Sequence, residues 1–191
     1  MIVGVDTYDI TDIVDAVEHP CVYVFFDTCA LLHILKIETH KNHNNIEIFK
    51  NYDALYQLID SGAIIPLASV MNYVELESNY DNIITTFQSK FNETKKEVQP
   101  ILSLAKHKGL ITNDLDYNSL NALDSAKDLY KKIIEKVIFI KERISYDRFA
   151  LIRVQQGIVP AHKKHEYKDA YIWRTCLDVK SKSKKGDHVF F

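Results

Sequence analysis

Three acidic residues in this chain stand where a polypeptide can bring carboxylates to one place: Asp27, Glu75 and Asp169. Asp27 closes VYVFF, a short β-branched and aromatic run suited to a strand buried on both faces of a parallel sheet. Behind it, Leu31, Leu32, Ile34 and Leu35 recur at helical spacing, so the change of period falls at Asp27-Thr28. Ligands of open α/β sheets bind beyond the carboxyl ends of the strands, which is where such an aspartate lies. It either caps the following helix, binds a cation, or does both. Glu75 lies just after a second apolar segment, AIIPLASV, and Asp169 begins the helical pattern of Ala170, Ile172, Trp173, Cys176 and Leu177. Unit charges ~4 Å apart repel by about 4 kcal/mol at an effective dielectric of 20, so three gathered carboxylates need a cation. Mg²⁺ or Mn²⁺ takes oxygen ligands and assists displacement at phosphorus. The chemistry this suggests is metal-dependent phosphodiester hydrolysis.

The elements that must position these acids follow from periodicity. Residues 1–21 read as an irregular or short helical lead-in, and 36–45 as a polar loop. Phe49, Tyr52, Leu55, Tyr56 and Ile59 share a helical face ahead of Gly62, and 63–70 reads as a strand despite Pro66, which has no ladder donor. A long helix is expected from Met71 to just before Pro100, a second over 115–141, and a third over 145–156 stopped by Gly157. Aromatic residues along 73–91 and 117–139, and Trp173, read as core. KSKSKKGD is a solvated tail, and HVFF reads as the start of another strand, inside which the chain stops. The fold class is α/β: a three-layer α/β/α sandwich with a mostly parallel sheet, one domain over 1–191 with a helical insert at about 78–157.

At 191 residues, 47% hydrophobic and 26% charged, the chain suits one globular domain. No apolar run approaches the ~20 residues of a membrane span, so a cytoplasmic protein with no membrane association is expected. Cys21, Cys29 and Cys176 are scattered and read as reduced thiols, and Cys29 is not expected to act as a nucleophile. The histidine pairs 40/43 and 162/165 have zinc-like spacing, but no cysteine or third histidine stands at a compatible offset. A net charge of −2 offers no global attraction to nucleic acid. A local patch does, through Arg148, Arg153, His162, Lys163, Lys164, His165 and Lys168, immediately before the third acid.

The ordered set VYVFFDTCALL, VMNYVELE and KDAYIW before HVFF resembles the PIN-domain nucleases, and more narrowly a PIN-like subgroup with a long helical insert between the second and third acids. The resemblance implies that Asp27, Glu75 and Asp169 hold one or two Mg²⁺ or Mn²⁺ ions, with Glu77 the substitute for Glu75 in a shifted register. It implies a hydroxyl residue after the first acid, here Thr28, on the substrate side with Arg148, Arg153, Lys163, Lys164 and Lys168. The implied activity is endoribonuclease cleavage of single-stranded RNA. PIN enzymes usually carry a fourth acid after the strand that HVFF would begin, so either the polypeptide is a fragment or that ligand is missing. Two alternatives stand beside this: a non-catalytic PIN-like module that binds a protein partner through its helical insert, and a nuclease acting on DNA structures.

Overall fold

The computed structural model describes residues 6–36, 45–110, 122–159 and 167–191. Among these, five strands form one wholly parallel sheet: β1 (Thr7–Tyr8), β2 (Val22–Phe25), β3 (Ile65–Ser69), β4 (Ile138–Ile140) and β5 (His188–Phe190), in spatial order β1-β4-β3-β2-β5. Seven helices accompany them: α1 (Ile10–Ala16), α2 (Thr28–Lys36), α3 (Asn45–Asp60), α4 (Val70–His107), α5 (Ala122–Ile134), α6 (Ile144–Gln156) and α7 (Tyr167–Lys182).

Side chains alternate across the sheet and so divide the core in two. Tyr23, Phe25, Leu67 and Ile140 pack with buried residues of α1, α6 and α7. Phe26, Ala68 and Phe139 pack with buried residues of α2, α3, α4 and α5. Helices thus cover both faces, as a parallel sheet requires and as a three-layer sandwich would have them.

Several expectations meet their outcome here. The strand over 63–70 forms as Ile65–Ser69 in the sheet interior, with Pro66 in it. Leu67 accepts from Phe26 N across β2, and pairing with β4 begins only at Leu67, so Pro66 precedes the ladder its missing donor would have joined. The helix expected over 115–141 is corrected: it ends at Ile134, and Ile138–Ile140 is a strand between β1 and β3. Residues 111–121 lie outside the described residues. The apolar positions through 138 kept helical spacing, but IFI is β-branched and aromatic and fills a doubly buried strand. The stretch 78–157 therefore adds a strand to the sheet as well as helices. The lead-in is a short strand and a helix, its first turn capped by Asp9, whose carboxylate accepts from Thr11 N at 3.1 Å.

Helix α4 passes Pro100 and ends at His107. Its expected stop fails because Pro100 and Lys96 are exposed, so water can satisfy the Lys96 carbonyl that the missing N–H leaves unbonded. α6 ends as expected at Gly157, which is left-handed at φ 62°. Nor is KSKSKKGD simply a solvated tail. Lys180 and Lys182 belong to α7, and Lys184 Nζ lies 3.6 Å from Asp15.

Candidate active site

Asp27 lies one residue beyond β2, after Phe26, and directly precedes α2, and its Oδ1 accepts from Thr28 N at 2.7 Å. Asp169 sits in the first turn of α7. Far apart in sequence, the two line one cleft of about 240 Å³ with Ile172, Trp173 and Phe191. Trp173 is therefore not core. It is 37% exposed, and its ring meets that of Phe191, 62% exposed, edge-to-face at 5.8 Å. Helical spacing places Trp173 one position beyond the buried Tyr171 and Ile172 of α7, which is how a residue flanked by core faces a cleft.

Glu75 lies on α4 and lines a neighbouring hollow of about 440 Å³ with Cys29, Asn79, Asn82 and Lys90. Lys168 Nζ, one residue before Asp169, donates to Glu75 Oε1 at 3.1 Å and ties the two hollows together. Glu77 is exposed and lines neither of them, interacting instead with Tyr73. Of the two glutamates, Glu75 is the one linked to the Asp169 turn, through Lys168.

The acids share one end of the sheet without closing to ligand spacing. Among the described residues, the only set of three or more His, Cys, Asp or Glu ligand atoms within 4.8 Å of one another is His19, Cys21 and Asp187, at the opposite end of β2. The carboxyl-end donors are oxygens, which suits Mg²⁺ or Mn²⁺, and two of them face one cleft. The third is engaged by Lys168.

A buried network behind Asp27 sets its position. Ser69 caps α4, with Asn72 N donating to Ser69 Oγ at 3.3 Å and Asn72 Oδ1 accepting from Ser69 N at 2.9 Å and Ser69 Oγ at 2.6 Å. Asn72 Nδ2 then donates to Thr28 Oγ1 at 3.1 Å, joining the ends of β3 and β2. Ser69, Asn72 and Thr28 are all buried. Thr28 is 2% exposed as a residue and its hydroxyl accepts from Asn72 within this network, while the residue also lines the hollow beside Glu75. Ser69 and Asn72 went unremarked in the sequence, though S-x-x-N before an apolar periodic run is a variant of the capping box.

The basic residues divide as well. Arg148 is exposed on α6. Arg153 donates to the Val159 carbonyl and lies 4.8 Å from the Phe149 ring centroid, so it supports the α6 terminus. His162, Lys163, Lys164 and His165, like His40 and His43, lie outside the described residues.

The site and sheet define the class: a parallel α/β protein with paired acids beyond the carboxyl end of a central strand. Compared with protein-family models, with curated proteins and with solved structures, the chain matches none.

Proposed function

We propose that this protein is a PIN-like, metal-dependent endoribonuclease acting on single-stranded RNA. The observation that carries the reading is the cleft shared by Asp27 and Asp169 and walled by Trp173 and Phe191. Asp27 and Asp169, with Glu75 released from Lys168, would hold Mg²⁺ or Mn²⁺, which when bound supplies Lewis-acid polarisation of the phosphodiester and a more acidic water. Lys168, freed in the same exchange, and Arg148 offer cations to the phosphate backbone. Trp173 and Phe191 present exposed ring surface on which unpaired bases can stack, a contact that a duplex withholds.

The Lys168–Glu75 pair also favours a second reading, because a lysine on the third carboxylate supplies the neutralisation a metal would. In that reading the protein is a PIN-like interaction module. Exposed Ile101 and Leu104 on the distal part of α4, with Leu110 beyond it, would meet a protein partner.

Cleavage of matched RNA and DNA oligonucleotides in Mn²⁺ separates these readings. The nuclease reading expects cutting of single-stranded RNA that falls about 100-fold or more in Asp169→Asn. RNA left intact by the wild type, or cut equally by the variant, removes it. Preferential cutting of DNA moves the substrate and keeps the site, since the chemistry does not itself need a 2′-OH.

A further inference from the structure

At the amino end of β2, away from the acids, three side chains of different chemistry converge. His19 Nδ1 and Asp187 Oδ1 are 2.9 Å apart, Cys21 Sγ and Asp187 Oδ1 3.5 Å, and Cys21 Sγ and His19 Nδ1 3.7 Å. A tetrahedral zinc with Zn–S of about 2.3 Å and Zn–N and Zn–O of about 2.0–2.1 Å has ligand-to-ligand edges of about 3.3–3.6 Å. The two sulfur separations lie close to that range, and the His19–Asp187 hydrogen-bond separation would open by about 0.4 Å to admit the ion. We propose that His19 Nδ1, Cys21 Sγ and a carboxylate oxygen of Asp187 bind one Zn²⁺ ion, with solvent in the fourth position.

Two further observations bear on it. The second nitrogen of His19, Nε2, donates to the Val14 carbonyl at 2.7 Å, which aims Nδ1 into the cluster as backbone carbonyls do for metal-ligating histidines. The Tyr23 hydroxyl is buried and makes no hydrogen bond of ordinary geometry among the described residues, and the side chain it faces for one is Cys21. A zinc-bound thiolate beside it would be a stronger acceptor than a thiol. A sulfur-nitrogen-oxygen set suits zinc over magnesium, so this site is distinct in metal as well as place from the one under Asp27. By strand rise it lies about 20 Å from Asp27 along β2.

A nucleophilic role for Cys21 does not suit this geometry. In a Cys-His-Asp relay the thiol and the carboxylate use opposite ring nitrogens, whereas here both face Nδ1. Burial also pushes the Cys21 thiol up, away from the thiolate that would attack.

Binding exchanges protons for the ion. Without metal, both ring nitrogens of His19 face acceptors and both carry hydrogen. Zn²⁺ then replaces the Nδ1 proton and the Sγ proton, and both leave to solvent. Asp187 keeps its backbone donors, Cys21 N at 3.0 Å on Oδ1 and Lys184 N at 2.8 Å on Oδ2. The ion would join the residues preceding β2 to those preceding β5, fastening the three-residue edge strand β5.

Cobalt(II) titration of the metal-free protein tests this, because a thiolate ligand gives a charge-transfer absorption and four-coordination gives intense d–d bands. The wild type should develop both at one equivalent and lose them when Zn²⁺ is added. Cys21→Ser should abolish the charge-transfer absorption, while Cys29→Ser and Cys176→Ser retain it. His19→Gln should weaken cobalt binding at least about 10-fold. Circular dichroism checks that each variant is folded. A folded wild type without the absorption, or an absorption that survives Cys21→Ser, overturns the site.

Discussion

Individual side chains here act mostly by holding strand ends in place. Asn72 spends its amide on Ser69 and Thr28, so Asn72→Ala leaves buried polar atoms of both without partners. Urea unfolding should show a loss of about 1–3 kcal/mol, the cost of unsatisfied buried groups. Asp9 gives a pH signature. The Thr11 backbone N–H, and then the Arg143 guanidinium at 2.6 and 2.7 Å, hold its carboxyl below the usual carboxylate value. A group lowered on folding stabilises the protein above its unfolded value and loses that contribution as pH falls through its folded one. The wild type should therefore lose more stability than Asp9→Asn as pH falls below about 4. The difference should stay within about 1 kcal/mol, because the Asp9 side chain is 39% exposed. Asp27 stood out in the sequence because it marks the change of period between β2 and α2, and Asp169 because it opens a helical pattern, whereas Glu75, in the second turn of α4, was singled out by the resemblance. His19, Cys21 and Asp187 were not legible, because only the pairing of β2 with β5 brings the last to the other two.

Among the elements, boundaries were harder to read than kinds. The β2–α2 junction, the helix before Gly62, α6 and α7 all follow from periodicity and punctuation. β4 does not, because Val137, Phe139 and Ile140 are as apolar as the helical positions before them, and only the sheet's demand for a doubly buried strand separates the two. Two residues, Thr7 and Tyr8, are too few for strand periodicity to register. The course of α4 through Pro100 gives the test at this scale. A proline inside a helix costs about 3 kcal/mol relative to alanine. Pro100→Ala should thus raise amide-exchange protection over the last two turns of α4 by up to that amount. Unchanged protection would mean that the distal helix is held by something other than its own ladder.

At the scale of the whole molecule, the parallel sheet carries a group of chemistry-bearing side chains at each end. One gathers carboxylates from β2, α4 and α7 beneath exposed aromatic rings, and the other gathers His19, Cys21 and Asp187. No helix among the described residues is long and apolar enough to cross a membrane. The central claim is that the carboxyl-end acids form one cation site, and Mn²⁺ isothermal titration tests it most directly. Performing it in a Cys21→Ser background leaves the amino-end cluster without its thiolate. The account predicts Mn²⁺ binding that Asp27→Asn and Asp169→Asn each weaken at least about 10-fold, with Lys168→Ala leaving it intact or strengthening it by freeing Glu75. Binding unaffected by both aspartate substitutions, or no binding even after Lys168→Ala, would contradict it.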